Sequence, residues 1–201
     1  MQQGRGTVKA IATPEEVSQW MNPMTTLTNG QRRAIALAAT TTDQVIAWQG
    51  VAGAGKTYGL RLYKELAESK GYGVEGFAPS AEAADGLARG TGIGSETIAS
   101  LLYSQSTSNQ SLLPGKEIWI VDEASLLSAK DAYALLQRAN EQQARVILVG
   151  DTQQLSAVEA GNPFKSLQAG GMAIARLKTD LTLQQQLIDS MQQVERKLDL
   201  K

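Results

Sequence analysis

The residues best suited to chemistry lie between Trp48 and Thr57, in the stretch WQGVAGAGKT. Gly50, Gly55, Lys56 and Thr57 complete the pattern G-x-x-x-x-G-K-[ST], and Gly53 adds a further glycine. Glycines let the backbone curl until successive N–H groups face a single anion. A helix leaving such a loop contributes the positive end of its dipole. Lys56 offers a cation that reaches the β- and γ-phosphates of ATP, and Thr57 offers a hydroxyl to Mg²⁺. Ala54 and Tyr58, inside and just after the pattern, belong to the same nucleotide-binding set. The competing reading is a glycine-rich turn. The pattern stands between an apolar run, Val45 to Trp48, and a helical pattern from Lys56, which favours the phosphate loop.

Three further polar positions could complete a nucleotide site. Asp122-Glu123 follows the apolar run EIWIV. Asp122 suits Mg²⁺ held through its water shell, and Glu123 suits a base that polarises an attacking water. Taken alone, the pair reads equally well as a cap for the next helix. Gly150-Asp151-Thr152-Gln153-Gln154-Leu155 follows a second apolar run, RVILV. There Gln154 is placed to bond a γ-phosphate or the attacking water, unless the stretch is a plain strand-to-loop turn. Gln31 also has two readings. With Thr28 it completes a capping box, and as a free amide it could read adenine.

The intervening sequence supplies the elements that must carry these groups. Thr13, Pro14 and Glu16 predict a capped helix over PEEVSQWM, stopped by Asn22-Pro23. A helix over about 28–40 follows, then a strand at 44–49 and a helix from Lys56 to about Ser69, ended by Gly71. A strand at 73–78 leads to a small-residue helix at 81–89, a loop through Gly90, Gly92 and Gly94, and a short helix at 97–103. Residues 104–116 read as an exposed loop. A strand at 117–121, a helix over about 128–140 and a strand at 145–149 complete the pattern. The last two strands are continuous apolar runs, which favours a parallel sheet covered on both faces by helices. Leu183, Leu187, Met191, Val194 and Leu198 fall on one face of a C-terminal amphipathic helix, 178–201. Docking on the domain is favoured over a coiled coil, because the stripe is short.

Composition narrows the chemistry. The 201 residues include no cysteine and no histidine, which excludes disulfides, thiolate metal sites and imidazole catalysis. No apolar run spans a bilayer, and MQQGRGTVKA has no apolar signal core. A cytoplasmic protein is expected. The net charge of −1 gives no overall basic footprint, so nucleic-acid contact rests on a local patch. Trp119 and Tyr103 are the first candidates for a stacking platform.

GVAGAGKT, FAPSAEAADGL, ETIASLL, IVDEASLL and GDTQQLSAVEAG, in this order, resemble the first motor domain of RecD-like superfamily 1 DNA helicases. Among these, the likeness is to the helicase portion of conjugative relaxase-helicases of the TraI/TrwC type. LTNGQRRAI resembles that family's adenine-recognising glutamine motif. The resemblance covers roughly 25–170 and implies a RecA-like α/β fold. It implies that Gln31 contacts adenine, that Lys56 and Thr57 hold phosphate and Mg²⁺, that Asp122 and Glu123 are metal ligand and base, and that Gln154 senses the γ-phosphate. It also implies single-stranded DNA lying across Pro79-Ser80, the turn from Thr97 to Ser100 and the loop after Gln154. As physics, Ser80 and Thr97 read simply as helix starts.

The sequence departs from that family in three respects. The segment that usually ends in Arg-Gln reads KTDLTLQQQ here, over about 178–186, and has no arginine. Arg145 and Arg176 remain as substitutes within the chain. A second motor domain is absent, and so is the relaxase with its histidine cluster. The chain therefore reads as a fragment, a truncated relative or half of a split machine. Its expected divisions are a linker and short helix at 1–24, a RecA-like ATP-binding domain at 25–177 and the C-terminal helix at 178–201. The leading expectation is a motor domain of a DNA helicase acting in conjugation. The alternative is a nucleotide-dependent module that binds a relaxase or helicase partner. A generic phosphate-loop ATPase or kinase ranks third, since neither a phosphoacceptor pocket nor a lid arginine cluster is apparent.

Overall fold

The computed structural model describes residues 4–103, 115–152 and 163–178. Among them, α1 (Pro14–Met21) and α2 (Asn29–Thr40) precede β1 (Val45–Gly50), α3 (Lys56–Ser69), β2 (Gly73–Ala78) and α4 (Ala81–Thr91). There follow β3 (Ser95–Thr97), α5 (Ile98–Tyr103), β4 (Glu117–Val121), α6 (Ala129–Glu141), β5 (Arg145–Gly150), α7 (Pro163–Ala169) and β6 (Ala173–Leu177). The strands form one six-stranded sheet in the order β3-β2-β4-β5-β1-β6. Every described pair is parallel. This is the α/β architecture that the continuous apolar runs predict.

Side-chain alternation divides the core into two layers. Ile46, Trp48, Ile118, Ile120, Ile147 and Val149 join a cluster with Ile35, Leu60, Tyr63, Leu66 and Leu87 from α2, α3 and α4. Ala47, Phe77, Trp119, Val121, Val146 and Leu148 join a second cluster with Leu101, Leu135 and Phe164 from α5, α6 and α7. All of β4 and β5 is buried. No described helix is long and apolar enough to cross a membrane.

Local signals set most boundaries. Both N-terminal helices begin with complete capping boxes, Thr13 with Glu16 and Thr28 with Gln31. α3 ends on Gly71, whose φ is +76°. α4 runs two residues further than its sequence pattern predicts. It passes through Gly90 and stops at Gly92, which takes the left-handed conformation and donates its N–H to Ala88 O. Four elements go beyond the sequence reading: the edge strands β3 and β6, α7, and a 3-10 turn at Ala124–Leu126. The C-terminal helix expected over 178–201, except Lys178, lies outside the described residues, as do Gln154 and nearly all of the 104–116 loop.

One aromatic expectation is corrected. Trp119 is fully buried and meets Phe77 edge-on, with ring centroids 5.4 Å apart. It is a core residue and cannot stack on a base. Tyr103 is 83% exposed.

Ile120 is fully buried in the central strand. Ile120→Ala should destabilise the chain by about 2–5 kcal/mol through lost burial and an unfilled cavity. Urea unfolding should show a lower midpoint at unchanged slope. A loss under about 1 kcal/mol would mean that this layer is not close-packed.

Candidate nucleotide site

Parallel pairing gathers the strand ends on one edge. Gln49 aligns with Gly150, Gly50 with Leu177 and Val121 with Leu148. The phosphate loop leaves β1 between its neighbours β5 and β6. A β-carbon on Gly50 would stand 2.9 Å from Leu177 O and 3.2 Å from Ala54 Cβ, so this glycine is fixed by close approach. Gly53 and Gly55 have φ of +76° and +72°. Gly55 is also the N-cap of α3 and provides no side chain to satisfy its first N–H groups. Free donors at a positive helix end are what an anion site requires.

Lys56 Nζ donates to Gly50 O at 2.6 Å and to Val51 O at 3.1 Å, so its cation lies over its own loop. Ala54 is buried, and its N–H bonds to Val51 O at 3.2 Å. Thr57 is exposed. The Tyr58 hydroxyl shares a 2.9 Å hydrogen bond with Thr26 Oγ1, and the Arg61 guanidinium stands 5.5 Å from its ring centre.

Gln31 is buried, and both ends of its amide are engaged. Oε1 accepts from Thr28 N at 2.9 Å, and Nε2 donates to Gly55 O at 2.9 Å. The capping box is therefore real, and it is bonded directly to the phosphate loop. A second N–H on Nε2 remains beyond these contacts.

Asp122 and Glu123 lie at the end of β4. Asp122 Oδ1 accepts from Glu123 N at 2.9 Å. Burial raises the Asp122 carboxyl above its ordinary range, against the opposing pull of that hydrogen bond and of Lys56. Glu123 has φ +50° and ψ +34°, an uncommon conformation for a residue with a β-carbon. Burial raises its carboxyl too, and the nearby charges of Asp122 and Glu82 add to the effect. A 3-10 turn, Ala124–Leu126, follows directly, with Glu123 at its N-cap position but making no side-chain cap hydrogen bond. The later helix α6 is capped by Ser128, which accepts from Asp131 N at 3.0 Å.

The DNA-facing candidates have visible local roles. Ser80 Oγ accepts from Ala83 N at 3.1 Å and caps α4, directly after Pro79. Thr97 Oγ1 accepts from Ser100 N at 3.0 Å, and the Ser100 hydroxyl donates to Glu96. Of the two substitute arginines, Arg145 is bonded to Lys9 O and Thr41 O at the start of β5, on the opposite edge. A cavity of about 370 Å³, lined by Val45, Tyr133, Leu136 and Leu167 among others, also lies toward that opposite edge.

Arg176 is on the site's side of the sheet. Its guanidinium donates to Gln49 Oε1 at 2.6 Å, and Gln49 Nε2 donates to Thr152 Oγ1 at 2.5 Å. This relay across β6, β1 and β5 was not anticipated from the sequence. Its available signal was Gln49, a lone amide closing an otherwise apolar strand.

The family relations agree with this geometry. A family model described as an AAA domain matches residues 26–198. The chain belongs to that family. The AAA domain is 34% identical over 153 residues to a probable conjugal transfer protein TraA of Sinorhizobium fredii (strain NBRC 101917 / NGR234), covering 76% of this chain and 14% of that protein. It is 32% identical over 171 residues to the multifunctional conjugation protein TraI of Escherichia coli (strain K12), covering 80% of this chain and 10% of that protein. It is 38% identical over 128 residues to the ATP-dependent RecD2 DNA helicase of Deinococcus radiodurans, covering 62% of this chain and 18% of that protein. The chain thus spans only a small part of each relative's length. It is a phosphate-loop ATPase-type domain related to conjugation and helicase proteins.

The raised carboxyls make a pH prediction. A carboxyl raised in the folded state is least favoured there when ionised. Below its unfolded pKa, about 4, it carries no penalty. The penalty grows as pH rises through the folded pKa and is complete at neutral pH. Glu123→Gln should therefore raise the melting temperature at pH 7, and the gap from wild type should close as pH falls below about 4. A gap that widens toward acid would reverse the assignment.

Proposed function

We propose that this AAA domain binds ATP with Mg²⁺ at the C-terminal edge of its sheet and serves as the first, RecA-like motor domain of a RecD-like superfamily 1 DNA helicase. The proposed setting is a cytoplasmic conjugation machine of the TraI kind. There a second motor domain, and possession of a relaxase, would complete an apparatus that moves along single-stranded DNA. The observation that carries the proposal is the meeting of a phosphate loop, Lys56, Asp122 and Glu123 at one edge.

The donor set fits Mg²⁺. Among the described residues no group of three carboxylates forms a self-sufficient cage. One hydroxyl and one partly buried carboxylate are what Mg²⁺ takes from a protein when phosphate and water complete its shell. Thr57 and Asp122 would hold it, and when bound it would offset charge on the phosphates. Lys56 leaves Gly50 O and Val51 O to pair with phosphate. Glu123 accepts the proton of the attacking water, for which its raised carboxyl is suited. Gln31 offers adenine its second amide hydrogen while keeping hold of Gly55. Gln154 senses the γ-phosphate. Pro79, Ser80, Thr97 and Ser100 line the path of single-stranded DNA.

Lys56→Ala removes the side-chain cation of the loop. Affinity for ATP with Mg²⁺ should fall by at least ~2 kcal/mol, measured by calorimetric titration. Equal affinity in mutant and wild type would overturn the site. Glu123→Gln should keep nucleotide bound and abolish turnover.

An arginine finger contributes about 10³- to 10⁵-fold in rate, and KTDLTLQQQ contains none. Arg145 is on the wrong edge, and Arg176 is held by Gln49. The 201-residue chain should hydrolyse ATP far more slowly than a helicase, without stimulation by single-stranded DNA. Steady-state ATPase assays with and without DNA test this. Fast, stimulated turnover would refute it, and its loss in Arg176→Ala would then name the arginine.

A further inference from the structure

Gly90 sits inside α4, one residue before its end, with nothing in its backbone conformation that requires glycine. Alanine would favour the helix at such a position. The reason for glycine lies across the fold. A β-carbon at Gly90 would stand 2.6 Å from Thr57 Cγ2. Real carbon atoms do not approach so closely, so any side chain at 90 must displace that methyl. Gly86, one turn earlier in α4, has open space around it. The close contact is therefore specific to position 90.

Thr57 occupies the first turn of α3. In a helix, threonine divides between two χ1 rotamers. Among the described residues nothing hydrogen-bonds the Thr57 hydroxyl, so no polar contact selects between them. Glycine at 90 leaves room for the rotamer seen, in which Cγ2 lies where a side chain at 90 would stand. A side chain at 90 would turn χ1 and carry the hydroxyl with it.

We infer that Gly90 is a positioning residue that sets the rotamer of Thr57 and so aims its hydroxyl at the metal of a bound Mg²⁺–nucleotide. The inference rests on the proposed role of Thr57 as a Mg²⁺ ligand. It adds a residue 33 positions away in sequence, on the helix capped by Ser80.

The test is a mutant cycle on the full chain, read with a fluorescent ATP analogue titrated in Mg²⁺ and in chelator. Gly90→Ala should reduce the Mg²⁺-dependent gain in affinity roughly tenfold, the equivalent of an off-rotamer cost of about 1.4 kcal/mol. Affinity in chelator should stay at the wild-type value. Gly86→Ala should change neither. In the Thr57→Ser background, which lacks Cγ2, adding Gly90→Ala should have no effect. The metal-free readout is the Thr57 methyl carbon shift by NMR, which should move in Gly90→Ala and not in Gly86→Ala.

Wild-type Mg²⁺ dependence in Gly90→Ala would overturn the inference. So would a loss that persists unchanged in the serine background, because the effect would then bypass the methyl. Thr57→Ala separates the two levels. If it leaves the Mg²⁺-dependent gain intact, the ligand role of Thr57 fails, and the inference fails with it. If it abolishes the gain while Gly90→Ala does not, the inference alone fails.

Discussion

Where Gln49 aligns with Gly150 and Gly50 with Leu177, the ends of adjacent strands arrive at one level. Parallel pairing satisfies the backbone sideways and leaves side chains to alternate into two apolar layers. Within those layers a polar side chain has no partner. In β1, β4 and β5 polar chemistry is thereby confined to the strand ends. β1 turns polar at Gln49, β4 at Asp122 and β5 at Asp151. The site is a consequence of the sheet before it is a consequence of any motif.

Gln31 ties the loop to that framework. As the fourth member of a capping box its position is set by α2, and its remaining reach falls on Gly55 O. Gly55 thus has two independent reasons to be glycine. Its φ is +72°, and a β-carbon there would stand 2.3 Å from Gln31 Nε2. The two readings of Gln31 are not exclusive. The amide stabilises the helix start and the loop together, and a second N–H on Nε2 remains beyond these contacts.

The glycine-rich loop between strand and helix, the place of Asp122-Glu123 at a strand end and the parallel sheet were legible in the sequence because each is written locally, in consecutive residues. Capping boxes were legible for the same reason. β3 has three residues and β6 has five, too few for an edge strand to show a period. Trp119 read as a possible stacking surface because an apolar run does not say which of its members face a helix. It is the alternation with Ile118 and Ile120 between two layers that buries it. The Gly90 contact with Thr57 and the Arg176–Gln49–Thr152 relay join residues far apart in the chain. No local pattern encodes them.

Glu123 and Lys56 show what the framework sustains. Glu123 holds a left-handed conformation at a cost on the order of 1–2 kcal/mol, beside two other acids that oppose its ionisation. The buried Ala124 and Ser125 that follow it keep it there, packed so close to Gly150 that a β-carbon on that glycine would stand 3.2 Å from Ser125 N. Lys56 meanwhile hydrogen-bonds two carbonyl oxygens of its own loop, with Asp122 close enough to feel its charge. The two acids, raised by burial, are less favourable for the folded chain when ionised than an ordinary surface carboxylate would be. A ligand that brings phosphate to Lys56 and a divalent charge to Asp122 would improve both at once. The strain at the edge is affordable because the two apolar layers beneath it are deep. For that reason mutations that weaken the layers should erode this edge first.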